Sequence, residues 1–259
     1  MDTLEIVVIC VCLYLLWCMC TRGKSTFFNF SGQPRSVLNE YFDRVVCVTI
    51  PKREQHMRDI MRKWNVDAKI HPAYMKDTMD KEQLIREGFI TPGCKLNDGR
   101  ICCHYSHMQV LKDFLDDPQA KNILVFEDDM GPMYKNANHL NKVLTPYLKN
   151  IPKGWNYLNL GTCWENCNFN RRTNTPYWQH SYRPLCRNAI AFSKEGASIV
   201  YNMCKPMVDK PGDNMIGNLI SSKILRNAYN TPKQLFSQNR KVWGSNLDNN
   251  GDVAPPQCR

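Results

Sequence analysis

Apolar and polar residues follow two different periods along the chain, and these periods predict its elements. A short β-branched run, Arg44–Ile50 (RVVCVTI), predicts a buried first strand. In the segment that follows, apolar residues recur at the spacing of one helix face, at Met57, Ile60, Met61 and Trp64. The chain therefore begins its folded part with a strand and a helix.

The same criteria apply to the rest of the chain. They predict further strands at Ala68–His71, Asn122–Phe126, Tyr157–Leu160 and Ala189–Phe192. They predict helices at Lys52–Trp64, Asp80–Glu87, Ile101–Leu115, Asn136–Leu148 and Lys194–Met203. This alternation predicts an α/β fold with a mixed, mostly parallel sheet and helices on both faces. The part after about residue 210 is expected to be irregular and to fold over the site.

The N-terminal run at residues 6–20 is apolar and uncharged. It is shorter than the ~20 residues of a standard membrane span, but it favours one transmembrane helix, an anchor over residues 1–24. A stem over residues 25–43 and one domain over residues 44–259 follow. A signal peptide and a buried core helix are the alternatives, although Asp2 and Glu5 stand where a signal peptide is positive. We expect a single-pass membrane protein, of the endomembrane system in a eukaryotic or viral setting, with its orientation open.

Composition narrows the class of partner. The net charge of +10 favours anionic partners, but the basic residues are scattered and no nucleic-acid-binding motif is present, so we expect no nucleic acid. Thirteen cysteines are many for 259 residues. Cys163 and Cys167 could pair with each other or with Cys186.

Three carboxylates, Glu127-Asp128-Asp129, end the apolar strand at Asn122–Phe126. Open α/β sheets bind ligands at the carboxyl ends of their strands, and adjacent carboxylates repel unless a cation is present. Oxygen ligands select Mn²⁺ or Mg²⁺. Alternate residues of an extended segment share a face, so Glu127 and Asp129 form one pair. A solvated acidic turn or a helix cap is the alternative.

Cysteine and histidine are dense between Cys94 and His107. On a helix, Cys103 and His107 lie four residues apart and could share a ligand. The adjacent pair Cys102-Cys103 does not fit the usual spacing of zinc sites. A helix with core cysteines is the simpler interpretation.

The order of the motifs resembles glycosyltransferase family 25, the lipopolysaccharide-type and procollagen galactosyltransferase family. The similar segments are Val48–Arg53 (VTIPKR), Gly99–His107 (GRICCHYSH), Leu124–Met130 (LVFEDDM), Leu158–Gly161 (LNLG), Gly196-Ala197, Asp213, Gln238 and Gly244-Ser245-Asn246. Departures from the family pattern stand at Thr49, His56, Arg100 and Cys102.

The resemblance implies a GT-A-type nucleotide-sugar-binding fold, a UDP-sugar donor, Mn²⁺ and transfer of a hexose with inversion. It implies metal ligands at Glu127 and Asp129. It implies donor contacts from Ile50, Arg53, Ser106, His107 and Asp128. Inversion needs a general base for the acceptor hydroxyl, and Asp213 matches the family position; a helix cap is its alternative role.

The acceptor, a glycan, glycolipid or glycoprotein, is not readable from the sequence. The long loop Thr162–Arg183 carries Trp164, Tyr177, Trp178 and Tyr182, which suit either sugar stacking or a small core under the loop. Two other functions compete with the transferase. A catalytically silent, membrane-anchored sugar-binding protein would explain the departures, and a zinc-stabilised nucleic-acid-binding protein would explain the charge and the cysteines.

Overall fold

The structure is a computed structural model that describes residues 34–131, 133–169, 171–239 and residue 242. The predicted anchor at 1–24 lies outside these residues. In the described ranges no helix has the length and apolarity that a membrane span requires.

One sheet of eight strands forms the centre of the described chain. In chain order the strands are β1 Arg44–Thr49, β2 Lys69–Pro72, β3 Asn122–Glu127, β4 Tyr157–Asn159, β5 Arg171–Arg172, β6 Gln179–His180, β7 Ala189–Ser193 and β8 Ala228–Asn230. Their spatial order is β2-β1-β3-β7-β4-β8-β6-β5. The mixed sheet is confirmed, but its expected parallel majority is wrong for the described strands. The pairs β1–β2, β1–β3 and β4–β8 are parallel, and the other four are antiparallel.

Helices cover both faces of the sheet, as predicted. They are α1 Val37–Tyr41, α2 Pro51–Trp64, α3 Lys81–Arg86, α4 Asp98–Leu115, α5 Ala137–Lys149, α6 Lys194–Met203 and α7 Gly212–Ser221. Alternate residues of the strands pack in cores on opposite faces of the sheet. Ile123 and Val125 of β3 pack in the core that includes α4, α6 and α7, whereas Leu124 and Phe126 pack in the core that includes α1, α2 and α5.

Local chemistry sets the ends of the helices. The helix predicted from Ile101 begins three residues earlier, at Asp98, because the Asn97 side chain accepts a hydrogen bond from the backbone N–H of Arg100. Helix α2 begins with Pro51 and ends at Asn65, which adopts a left-handed conformation with φ of 51°.

Two segments differ from the prediction. The part after residue 210 is not irregular, since it contributes α7 and the interior strand β8. Leu38 and Phe42, within the segment predicted as a stem, are buried in the core with α2 and α5. The apolar stretches of both segments are short, and they are buried by packing on residues that are distant in sequence. Local periodicity does not reveal such packing.

Candidate active site

Several strands end at one edge of the sheet, and the acidic triplet lies there. Because β1 and β3 are parallel, Val48 is the neighbour of Glu127. Strand β7 runs antiparallel to β3, so its first residue, Ala189, is the partner of Phe126 at the same edge. The residues just before β7 are thus brought beside the triplet, at the position where open α/β sheets bind ligands.

Asp128 joins the end of β3 to the start of α2. One carboxylate oxygen accepts a hydrogen bond from Ile50 N at 2.7 Å, and the other pairs with Arg53 Nη1 at 2.8 Å. Both side chains of the ion pair are almost completely buried, 4% exposed for Arg53 and 11% for Asp128. The three residues predicted as donor contacts are therefore brought together, with Asp128 fixing the other two.

Glu127 faces helix α4. Its Oε1 lies 2.9 Å from His107 Nε2 and 3.6 Å from Cys103 Sγ. Burial favours a raised pKa for Glu127, but the hydrogen bond and charge of His107 and the charge of Arg187 outweigh it and lower the pKa. Burial and Arg187 also lower the pKa of His107. The carboxylate is thus ionised at neutral pH beside an imidazole that donates to it.

Asp129 is turned toward the C-terminal segment. Its Oδ2 accepts a hydrogen bond from Gln238 Nε2 at 3.0 Å, and its backbone oxygen accepts one from Asn239 N at 2.6 Å. Gln238 was singled out in the sequence as part of a closing motif. The contact places that segment against the acidic triplet.

Arg187 is the site residue that the sequence analysis missed. It is 7% exposed, and its Nη2 lies 3.1 Å from Cys103 Sγ while its Nη1 lies 3.0 Å from His104 Nδ1. Burial favours a lower pKa, yet the neighbouring Cys103, Glu127 and Asp213 raise the pKa of Arg187. The available signal was an arginine two residues before an apolar strand.

Asp213 lies in the first turn of α7 and is half-buried. Its Oδ2 accepts a hydrogen bond from Cys186 N at 3.3 Å, and its Oδ1 accepts one from Asn214 N. The N-cap of α7 is Pro211 and no side chain caps it, so the alternative role of Asp213 as a helix cap is wrong. Gly212, just before it, packs on Arg187: a Cβ there would lie 2.6 Å from Nη1. Asp213 is thereby brought to the surroundings of Arg187 and Glu127.

Ser106 lies inside the fold. Its hydroxyl donates to Cys102 O and accepts from Tyr74 N, each at 2.8 Å, and the residue is fully buried. With both functions used internally, Ser106 has the contacts of a residue that fixes the segment after β2. Its predicted contact with the sugar donor stays a prediction.

The described residues form one group of three potential metal ligands, Cys103, His107 and Glu127, whose donor atoms lie within 4.8 Å of one another. This group does not fit a cation well, because the Arg187 guanidinium already contacts Cys103 Sγ at 3.1 Å and would repel it. Among the triplet, Asp128 has both oxygens in the contacts with Ile50 and Arg53. Glu127 contacts α4 and Asp129 contacts Gln238, so the structure turns the two predicted metal ligands toward different segments, and their binding of Mn²⁺ or Mg²⁺ stays a prediction from their carboxylate chemistry.

The loop Thr162–Arg183 is fastened at several points. A disulfide joins Cys163 to Cys186, one of the pairings left open by the sequence. Buried Glu165 accepts hydrogen bonds from Ser181 Oγ, from the backbone N–H groups of Tyr182 and Arg183, and from Asn230 Nδ2. The loop is therefore held against β8 as a defined structure.

The aromatic residues of this loop divide into two kinds. Trp178 is 1% exposed and donates to Tyr147 O, and the Tyr177 ring packs on Tyr147. Both therefore pack in the core that includes α1, α2 and α5, rather than in a separate small core under the loop. Tyr182 instead stacks on Phe169, which is 56% exposed.

Comparison with known proteins identifies the class. A family model described as glycosyltransferase family 25 (LPS biosynthesis protein) matches residues 48–206, more than half of the chain. The chain therefore belongs to glycosyltransferase family 25, as the motifs implied. No curated protein matches the chain. Among solved structures, it is similar to 4-diphosphocytidyl-2C-methyl-D-erythritol synthase from Anaerococcus prevotii, with 12% identity over 71% of this chain and 82% of that chain and a TM-score of 0.27. These values are too low to define the fold or the function.

Proposed function

We propose that the chain is an inverting glycosyltransferase of the GT-A type. It would move a hexose, galactose or glucose, from a UDP-sugar to a hydroxyl of a glycan, glycolipid or glycoprotein. The observation that carries the proposal is the meeting of Glu127, Asp213 and Arg187 at the strand ends. These residues come from three separate segments, and the contacts through Cys103 and Cys186 join them.

The chemistry would be a single displacement. Asp213 accepts the proton of the acceptor hydroxyl while that oxygen forms a bond to the anomeric carbon. The bond from the anomeric carbon to the phosphate oxygen breaks, and the electron pair leaves with UDP. Asp213 is half-buried, and its two oxygens accept hydrogen bonds from Cys186 N and Asn214 N, which orient the carboxylate. Arg187 supports Asp213 by its charge and by packing under Gly212.

Glu127 and Asp129 are the proposed holders of Mn²⁺, or of Mg²⁺. When bound, such a cation supplies neutralisation of the charge on a diphosphate. Asp128 then serves the site indirectly, since it fixes Ile50 and Arg53 at the start of α2. A membrane anchor at residues 1–24 and a place in the endomembrane system remain part of the proposal.

Calorimetric titration of UDP into the full chain tests the proposal that the chain binds a UDP-sugar donor. We expect binding in the presence of Mn²⁺ that is lost in Asp129→Ala. Asp116→Ala is the control, because Asp116 pairs with Lys112 at an exposed position. UDP binding that is equal with and without Mn²⁺, and unchanged in Asp129→Ala, would contradict the assigned metal ligands. The absence of any UDP binding would favour the silent sugar-binding protein.

A further inference from the structure

The loop closed by the Cys163–Cys186 disulfide carries an exposed aromatic pair. The rings of Phe169 and Tyr182 stack with centroids 4.5 Å apart and planes inclined by 24°. The stack covers one face of Phe169, yet 56% of this residue is exposed, so its other face is open to solvent. An aromatic ring with one open face can pack against a ligand.

The backbone at Tyr182 is fixed by a buried carboxylate. Tyr182 N donates to the buried Glu165 carboxylate, which also binds Ser181 and Asn230. A ring fixed before binding loses little conformational entropy when a ligand arrives. The Tyr182 side of the stack is therefore positioned before a ligand binds, and Phe169 packs on it.

The surroundings of the pair are cationic. Arg171 and Arg172 form β5 and are exposed, and the exposed Arg183 follows Tyr182. The only acid between residues 162 and 185 is Glu165, which is buried. Within the described ranges no carboxylate forms an ion pair with Arg171 or Arg172. This charge favours an anionic ligand.

The pair lies within reach of the candidate active site. Cys186 N contacts Asp213 at 3.3 Å, and Tyr182 is four residues before Cys186. Four extended residues span at most ~14 Å. Arg183 also donates to Asn218 on α7, the helix that carries Asp213. The pair is thus near enough to the candidate active site for one oligosaccharide to contact both.

We propose that Phe169 and Tyr182, with Arg171 and Arg172, form a binding site for the outer sugars of an acidic oligosaccharide acceptor. The weakly positive C–H groups on one face of a sugar ring would pack on the negative face of Phe169. The guanidinium groups would pair with the carboxylate, sulfate or phosphate groups of the saccharide. This inference rests on the proposed function, of which it specifies the acceptor.

The test is binding of a tetrasaccharide of galacturonic acid to the full chain, beside a neutral tetrasaccharide of galactose. We expect the acidic probe to bind more tightly and to weaken with added salt. Phe169→Ala and Arg172→Gln should each weaken it about five-fold or more, whereas Phe169→Tyr, which keeps the ring, should not. Ile224→Ala and Lys135→Gln are matched controls that remove an exposed apolar side chain and one exposed positive charge elsewhere.

Three results would overturn the inference: no binding of the acidic probe, equal binding by Phe169→Ala and the wild type, or tighter binding of an oligothymidylate that the same variants abolish. The last would assign the surface to nucleic acid. Hydrolysis of UDP-sugars is measured in parallel, and the two controls, Ile224→Ala and Lys135→Gln, should leave it unchanged. Failure of hydrolysis with retained saccharide binding would refute the transferase and leave the binding site standing.

Discussion

Arg187 Nη1 donates a hydrogen bond to His104 Nδ1 at 3.0 Å, while His104 Nε2 lies 2.8 Å from Cys204 O. A guanidinium only donates, so Nδ1 is the acceptor and the proton is on Nε2, which donates to the carbonyl oxygen. His104 is thus a neutral, fully buried ring that positions Arg187 by accepting its hydrogen bond. The arrangement fixes a permanent positive charge beside Glu127 and Asp213.

Replacement of Arg187 by lysine should lower the turnover of UDP-sugar at least ~10-fold, because one ammonium cannot hold both His104 and Cys103 in the fork geometry of arginine. It should also lower the free energy of unfolding by about 1–3 kcal/mol, since buried polar partners are left unsatisfied. Steady-state kinetics and chemical denaturation measure the two effects. Arg171→Lys, at an exposed position, is the control. Normal turnover of UDP-sugar in Arg187→Lys would show that Arg187 is not part of the active site.

A methyl group at Gly212 should displace Arg187 without removing any charge. The Cβ of Gly212→Ala would lie 2.2 Å from His104 Nδ1 and 2.6 Å from Arg187 Nη1. We expect a loss of about 1–3 kcal/mol of stability by overpacking, together with reduced turnover. Gly93→Ala, which meets nothing within 4 Å, should leave both unchanged. Thermal unfolding and the hydrolysis rate are the measurements, and identical behaviour of the two variants would refute the packing described.

The Arg53–Asp128 pair should be important for stability because it is buried. Asp128→Asn leaves the guanidinium without its counter-charge, at a cost of about 3–5 kcal/mol. The exposed pair of Asp59 and Arg62, with exposures of 54% and 72%, gives the comparison. Asp59→Asn should cost less than about 1 kcal/mol. Urea denaturation of both variants measures the difference, and equal costs would show that Asp128 is not buried as described.

Burial and the charge of Arg187 lower the pKa of His104 to about 3. The unfolded chain binds a proton at this histidine near pH 6.5, whereas the folded chain resists it, so stability is present at neutral pH and is lost as the pH falls below ~6.5. Between pH 6.5 and 5, above the titration of ordinary carboxylates, the unfolding free energy should decline in the wild type. The decline should be shallower in His104→Gln. Equal slopes in the two proteins, measured by urea denaturation at each pH, would contradict the described burial of His104.

Local patterns predicted the parts of the fold whose periodicity is complete within one segment. Strand β3 was predicted to within one residue, and α6 in full. The acidic triplet was correctly placed at a strand end, because an apolar run that stops in carboxylates marks that edge. Helix α7 and strand β8 were missed, since their short apolar stretches are completed only by packing.

Some residues of the site were predicted and others were missed, because several of its contacts join segments that are distant in sequence. Asp128 and Arg53 meet through a contact between residues 75 positions apart, which no local pattern shows. Arg187 lies beside Cys103 only because β7 returns antiparallel to β3. The loop cysteines gave several pairings of equal plausibility, and only the folded path brings Cys163 to Cys186.

Hydrolysis of a panel of UDP-sugars by the full chain tests the central claim most directly, because it needs no identified acceptor. The account predicts Mn²⁺-dependent release of UDP from one sugar, galactose or glucose, and loss of that release in Asp129→Ala and Arg187→Lys. Release that is unaffected in both variants would contradict the assigned site. No release from any UDP-sugar would contradict the proposed transferase.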